Sequence, residues 1–209
     1  MKPYYQDKWV TIYHGDCREI LPQLDAKADL VLTDPPYNVG RAYLGANDRR
    51  DDYEQWCRKW FGLLPPTAIV ISVGVANLPM WYRIQVPDWL FCWFKGNNMG
   101  SASKYTNIGL WEPFLMYGTK RIGVDGCYCP IIPQKGDVGR HDCPKPEKLI
   151  AFLVGQLSDA SLILDPFLGS GTTCYCAKKL NRYSIGIEIE ERYCEIAARR
   201  CCQEVMELS

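Results

Sequence analysis

Trp9-Val10-Thr11-Ile12-Tyr13 alternates and is rich in β-formers, so the first regular element reads as a strand, ended by Gly15-Asp16-Cys17. Residues 17–24 carry a short helical pattern. Asp29 to Thr33 is short and apolar enough to be buried on both faces, as in a parallel sheet. Residues 38–52 lose periodicity, and Tyr53 to Leu64 regains it as a helix stopped by Pro65-Pro66. Ala68 to Val73, Trp89 to Phe94 and Pro113 to Tyr117 read as three further strands. Thr119 to Cys143, rich in Gly, Pro, Lys and Cys, shows no period and reads as irregular surface structure. A helix then starts at Pro146, where a missing N–H costs least, with Leu149, Ile150, Leu153 and Leu157 as its apolar stripe. Leu162 to Leu164 and Tyr183 to Ile187 are strands. Helices follow them, one through Leu180 and one from Glu190 to Val205 with Tyr193, Ile196, Ala197, Cys201 and Val205 inward. This alternation predicts an α/β fold, a doubly wound and mostly parallel sheet, as one domain over 1–209 with small irregular insertions.

Composition narrows the picture. With 209 residues and 47% hydrophobic content, the chain can bury one good core. Lys and Arg total 24, as do Asp and Glu, so the overall basic excess of a non-specific nucleic-acid binder is lacking and any such affinity must come from local patches. No apolar stretch approaches the roughly 20 residues of a membrane span, and the start has no signal-peptide core, so a cytoplasmic protein without membrane partners is expected. The 11 cysteines are odd in number and many lie in apolar helical patterns, which predicts reduced core thiols rather than a disulfide framework.

Chemistry concentrates where the predicted strands end. Asp34-Pro35-Pro36-Tyr37 follows the Leu30-Val31-Leu32 run, and its two prolines bar continuation of a ladder, leaving carbonyl acceptors beside a carboxylate and an aromatic ring. Such a cluster suits a planar group with an amino substituent, Asp34 and the Pro35 carbonyl taking its protons and Tyr37 stacking on its face. The alternative is a rigid turn. Asp165 to Thr173 joins a strand to a helix through Gly169-Ser170-Gly171, the layout of a nucleotide-binding turn. Glu188, about 20 residues on, stands where a ribose-binding carboxylate belongs, and Asp165 suits an ammonium group. Asp16, Asp34, Asp165 and Glu188 thus gather at one sheet edge.

The Asp34 to Tyr37 motif together with Asp165-Pro166-Phe167-Leu168-Gly169-Ser170-Gly171-Thr172-Thr173 resembles the S-adenosylmethionine-dependent DNA amino-methyltransferases. As here, their D-P-P-Y precedes the F-x-G cofactor motif in the permuted beta class. Gly15-Asp16-Cys17, His141 to Pro146 and Gly186-Ile187-Glu188 match further stretches, so the likeness spans nearly the whole chain. It implies a Rossmann-like methyltransferase fold, with Asp34, Pro35, Pro36 and Tyr37 catalytic. It places S-adenosyl-L-methionine on Asp16, Cys17, Lys145, Asp165, Pro166, Phe167, Gly169, Ser170, Gly171, Thr172 and Glu188. Its implied partner is duplex DNA with a flipped target base, and a homodimer is a candidate assembly. Residues 38–60 become a candidate lid and 95–143 a small candidate DNA-recognition region, because the space between motifs is short for a large one. Asp34 favours adenine N6 over cytosine N4, for which the family usually carries Ser; an RNA amino-methyltransferase is a further alternative. From other classes, a nucleotide-binding oxidoreductase and a silent DNA-binding module are opposed by the intact Asp34 to Tyr37 motif.

Other residues carry weaker signals. Cys127, Cys129, His141 and Cys143 have zinc-ligand chemistry but not the usual spacing, so no metal is expected. Lys95, Lys104, Lys120 and Arg121, interleaved with Trp93, Tyr105 and Trp111, are a candidate DNA-facing patch. Arg49-Arg50 and Arg58-Lys59, beside Asp48, Asp51 and Asp52, read equally as phosphate contacts or a solvated face.

Overall fold

The computed structural model describes residues 1–25, 27–40, 42–43, 46–96, 109–119, 122–130, 145–157 and 161–202, with backbone alone at 42, 43, 46 and 47. The elements are β1 (Tyr5–Gln6), β2 (Val10–His14), α1 (Cys17–Ile20, extended by a 3-10 turn), β3 (Leu30–Thr33), β4 (Ala42–Tyr43), β5 (Ala46–Asn47) and α2 (Tyr53–Phe61). Then come β6 (Ala68–Ser72), α3 (Leu78–Ile84), β7 (Trp89–Phe94), β8 (Trp111–Tyr117) and β9 (Gly126–Tyr128). The chain continues through α4 (Glu147–Gln156), β10 (Leu162–Asp165), α5 (Thr172–Lys179), β11 (Tyr183–Glu188) and α6 (Glu191–Cys202).

Among the described residues nine strands form one sheet in the order β1-β2-β11-β10-β3-β6-β8-β7-β9, while β4 and β5 pair separately. Five neighbouring pairs, from β2 through β6 and β7 with β9, are parallel; β1 with β2, β6 with β8 and β7 with β8 are antiparallel. The mostly parallel, doubly wound sheet is therefore present. From β10 the chain winds outward through β11, and from β3 outward through β6. The crevice between β10 and β3 is the switch point, where ligands of such sheets bind.

Alternation decides the layers. In β3, Val31 joins the core under α1, α2 and α3, whereas Leu30 and Leu32 join the core under α4 and α5. β6 divides likewise, Ile69 and Ile71 to the first face and Val70 to the second. A third core joins Val10 and Ile12 to Cys174, Cys194, Ala197 and Cys201 of α5 and α6. Every strand between the helices thus buries both faces, which explains its continuous apolar sequence. Leu149, Ile150, Leu153 and Leu157 are buried as the stripe requires, and so are Tyr193, Ala197 and Cys201; Ile196 is half-buried and Val205 lies outside the described residues.

Several elements differ from expectation. α2 ends at Phe61, with Gly62 as its C-cap donating N–H to Arg58 O at 3.1 Å, before the prolines are reached. Pro146 is the N-cap of α4, its carbonyl accepting from Leu149 and Ile150, and not the first helical residue. α3 occupies a stretch without a predicted element. It is short and anchored by one fully buried large side chain, Trp81. β8 begins at Trp111, so Pro113 lies within it, paired with Cys92 and with its carbonyl bonded by Val73 N–H. Within the stretch read as irregular, the described residues include β9, which extends the sheet beside β7.

Candidate active site

Four parallel strands end side by side, and their order brings the predicted acids to one edge as Asp16 (after β2), Glu188 (β11), Asp165 (β10) and Asp34 (after β3). Cross-strand bonds tie the tips together. Gly15 N–H donates to Glu188 O at 2.8 Å, and Thr33 Oγ1 donates to Asp165 Oδ1 at 2.7 Å. Asp16 caps α1 through Arg18 N–H and holds the Arg18 guanidinium at 2.5 Å, which keeps its carboxyl below the usual range. Cys17 points into the core, where burial pushes its thiol up to about 12.

The turn after β10 is built from packing as much as from openness. Asp165 is 3% exposed, and burial, outweighing its bonds from Thr33, Thr173 and Phe167 N–H, pushes its carboxyl up to about 6. Pro166 is buried, and the Phe167 ring lies edge-on to Trp56 and Trp60, 5.5 and 4.9 Å between centroids. Gly171 caps α5 at φ +80°, and a Cβ there would lie 2.8 Å from Ala197 Cβ, so its lack of a side chain serves the approach of α6. Ser170 and Thr172 face the same helix, Arg200 donating to Thr172 Oγ1 at 2.9 Å and to Ser170 at 3.4 Å. Gly169 N–H and Glu190 N–H donate to the two oxygens of Glu188 at 2.8 and 2.9 Å, while burial raises that carboxyl.

On the other side of the crevice, Asp34 belongs to a dense polar cluster. Tyr37 Oη lies 2.6 Å from Asp34 Oδ1, 2.6 Å from Glu112 Oε1 and 2.5 Å from Ser72 Oγ. Lys145 Nζ donates to Asp34 Oδ2 at 2.8 Å, to Glu112 Oε1 at 2.7 Å and to Tyr37 Oη at 3.1 Å; Lys95 Nζ meets Glu112 Oε2 at 2.7 Å. Lys145, expected beside the cofactor, is therefore held between the two carboxylates. Burial alone would lower its ammonium, but Asp34 and Glu112 outweigh this and raise it. Burial would likewise raise Glu112, yet Lys145 and Lys95 hold it well below the carboxylate range. Burial, Asp34 and Glu112 together push the Tyr37 phenol far up, so it stays protonated. The turn itself is pinned by Tyr53 Oη donating to Pro36 O at 2.7 Å and Asn77 Nδ2 to Tyr37 O at 2.8 Å.

Glu112 and Ser72 were missed by reading the sequence. The available signal was a lone acid inside the apolar run Trp111-Glu112-Pro113-Phe114, hidden by starting the strand at Pro113. Lys95, placed on the DNA-facing patch, is committed to Glu112, and Trp93 is buried with its indole N–H donating to Cys129 O. Lys104, Tyr105, Lys120 and Arg121 lie outside the described residues, as do His141 and Cys143. Among the described residues no group of His, Cys, Asp or Glu is arranged to hold a metal ion, and no helix is long and apolar enough to cross a membrane. Asp48 is not a solvated charge. It is buried and accepts from Val39 and Gly40 N–H, while Arg58 pairs with Glu54. Within the candidate lid, residues 53–60 form most of α2, with Tyr53, Trp56, Cys57 and Trp60 in the core, which confines any covering segment to 38–52.

Residues 120–199 match the family model described as DNA methylase, N6 and N4. The type II methyltransferase M.ScaI of Streptomyces caespitosus is 29% identical over 99% of this chain and 86% of its own length. M2.DpnII of Streptococcus pneumoniae is 28% identical over 95% and 92%. Among solved structures, the cytosine-N4-specific PvuII DNA methyltransferase superposes with a TM-score of 0.78 at 20% identity, covering 100% of this chain and 91% of that one. The M1.HpyAVI complex with S-adenosylmethionine gives 0.67 at 24%, covering 93% and 100%. With the D-P-P-Y turn and the glycine turn flanking one crevice, the chain is similar to the N6/N4 DNA methyltransferases, through the family model over residues 120–199 and through type II methyltransferases that align over nearly its whole length.

Proposed function

We propose that this protein methylates the N6 amino group of a flipped-out adenine in DNA, using S-adenosyl-L-methionine held across the tips of β2, β11 and β10. The observation that carries the reading is the position of Asp34, a carboxylate on the lip of the switch-point crevice, one strand from the Asp165 turn. The donor set fits the cofactor. Glu188 is a half-buried carboxylate met by backbone N–H groups, suited to ribose hydroxyls, and Asp165 is a buried carboxylate to which an ammonium group would be a strong partner. Asp16 at the β2 end is assigned to the adenine end of the cofactor. When bound, S-adenosylmethionine supplies an electrophilic methyl group.

The chain's own part is positioning. An adenine amino nitrogen shares its lone pair with the ring, so N–H bonds to Asp34 and the Pro35 carbonyl favour a more pyramidal nitrogen. Holding the acceptor and the methyl donor in one crevice contributes up to about 7–11 kcal/mol for ideal alignment. The Tyr37 ring, fixed by its hydroxyl at one end and by Asn77 on its carbonyl, offers a face for the extruded base. Aspartate at position 34 supports adenine over cytosine. The test is direct: incubate the protein with methyl-labelled S-adenosylmethionine and unmodified DNA, digest, and separate the nucleosides. N6-methyldeoxyadenosine is expected; label in N4-methyldeoxycytidine would overturn the adenine assignment.

A further inference from the structure

The Tyr37 hydroxyl has one proton and two carboxylates within reach. Asp34 Oδ1 and Glu112 Oε1 each lie 2.6 Å from Tyr37 Oη, and a phenol donates once. Ser72 Oγ, 2.5 Å from Tyr37 Oη and 2.9 Å from Glu112 Oε1, also has one proton. Two arrangements satisfy these groups. In one, Tyr37 donates to Asp34 and Ser72 donates to Glu112. In the other, Tyr37 donates to Glu112, Ser72 donates to the Tyr37 oxygen, and Asp34 Oδ1 is left as an acceptor without that donor, while Lys145 still holds Asp34 Oδ2.

We propose that Glu112 is a positioning residue that draws the Tyr37 proton away from Asp34, so that Asp34 Oδ1 opens to an N–H of the target amino group. The inference rests on the role given above to Asp34. Glu112 is the acceptor of the pair that depends on a protein donor: it is 7% exposed, so water cannot replace a hydrogen bond it loses, while the Asp34 side chain is 32% exposed and its Oδ1 can be completed by solvent or by the target N–H. The two ammonium groups also balance the two carboxylates, so the cluster brings no net charge against a methylated, positively charged amine.

Single-turnover methylation and cofactor affinity, measured side by side on wild type, Glu112→Gln, Tyr37→Phe and the double variant, test this. The neutral amide of Glu112→Gln is a weaker acceptor, so the Tyr37 proton returns to Asp34 and competes with the target. Methyl transfer is expected to fall about 10- to 100-fold with cofactor affinity unchanged. Deleting the competing proton should reverse this: the double variant is expected to regain about tenfold over Glu112→Gln, although Tyr37→Phe alone does not exceed wild type. Additive losses in the double variant, a wild-type rate in Glu112→Gln, or a parallel loss of cofactor affinity there would each overturn the proposal. A wild-type protein that methylates no base overturns the Asp34 reading and this inference with it; an active wild type with additive losses overturns this inference alone.

Discussion

Asp34 and Glu112, on the β3 and β8 side of the crevice, share the ammonium groups of Lys145 and Lys95, whereas Asp165 and Glu188, on β10 and β11, are met by hydroxyl and backbone N–H donors. The consequence appears in their ionisation. Glu112 is held low by its lysines despite burial, while burial prevails at Asp165 and Glu188 and raises both. A buried carboxylate without a cation is unfavourable unless a ligand completes it. One side of the crevice thus carries its counter-charges within the fold, which on the function proposed above would keep a fixed geometry around an incoming neutral base. The other side has no cation on Asp165 or Glu188 among the described residues, and on the function proposed above a cofactor would bring it an ammonium and hydroxyl donors.

The sharpest way to break this contrast is to alter Asp34. Asp34→Asn replaces one acceptor oxygen with a donor that opposes the target N–H, and it leaves Lys145 with Glu112 alone. Single-turnover methyl transfer should fall by about two to three orders of magnitude while cofactor affinity survives. Equal losses in both would place Asp34 in the cofactor half instead.

Next in size is Glu188→Ala, which removes a charged acceptor from the side it shares with Asp165. At about 1.5 to 3 kcal/mol for each such bond, the dissociation constant for S-adenosylmethionine should rise at least about tenfold. Calorimetry finding wild-type affinity would take Glu188 out of the site.

The smallest expected effects come from Asp165 and act through pH. Its folded-state value of about 6 lies above the ordinary 3.8, so protonation competes with an ammonium partner once pH falls below about 6. Cofactor affinity should therefore weaken about tenfold per unit between pH 6 and 5, and Asp165→Asn should show weak, pH-independent binding. The sign for the free protein is opposite. With its folded value raised, Asp165 contributes stability that is complete below pH 3.8 and is lost as pH rises through about 6. Without cofactor, Asp165→Asn should thus unfold about 1 to 3 kcal/mol less easily than wild type at pH 8, the gap closing by pH 4. A gap that widens on acidification would show Asp165 stabilised as a carboxylate and remove the contrast between the two halves.

The sequence by itself determined the strands of the sheet centre and the four acids at their ends. Apolar runs such as Leu30 to Leu32 and Ile69 to Ile71 can satisfy both faces only between two helix layers, and prolines or glycines after them admit no continuation of the ladder. These are local constraints, carried by neighbouring residues. The company each acid keeps was decided by tertiary structure alone. Glu112 meets Tyr37 because β8 runs antiparallel beside β6, which also brings Glu112 to Ser72 across 40 residues, and Lys145 reaches Asp34 across 111 residues. Likewise, Gly171, Ser170 and Thr172 read as ligand contacts along the chain, yet they pack on α6, whose approach no local pattern announces. A carboxylate's charge state follows from the cations and burial around it, and those are properties of packed distance rather than of spacing in the chain.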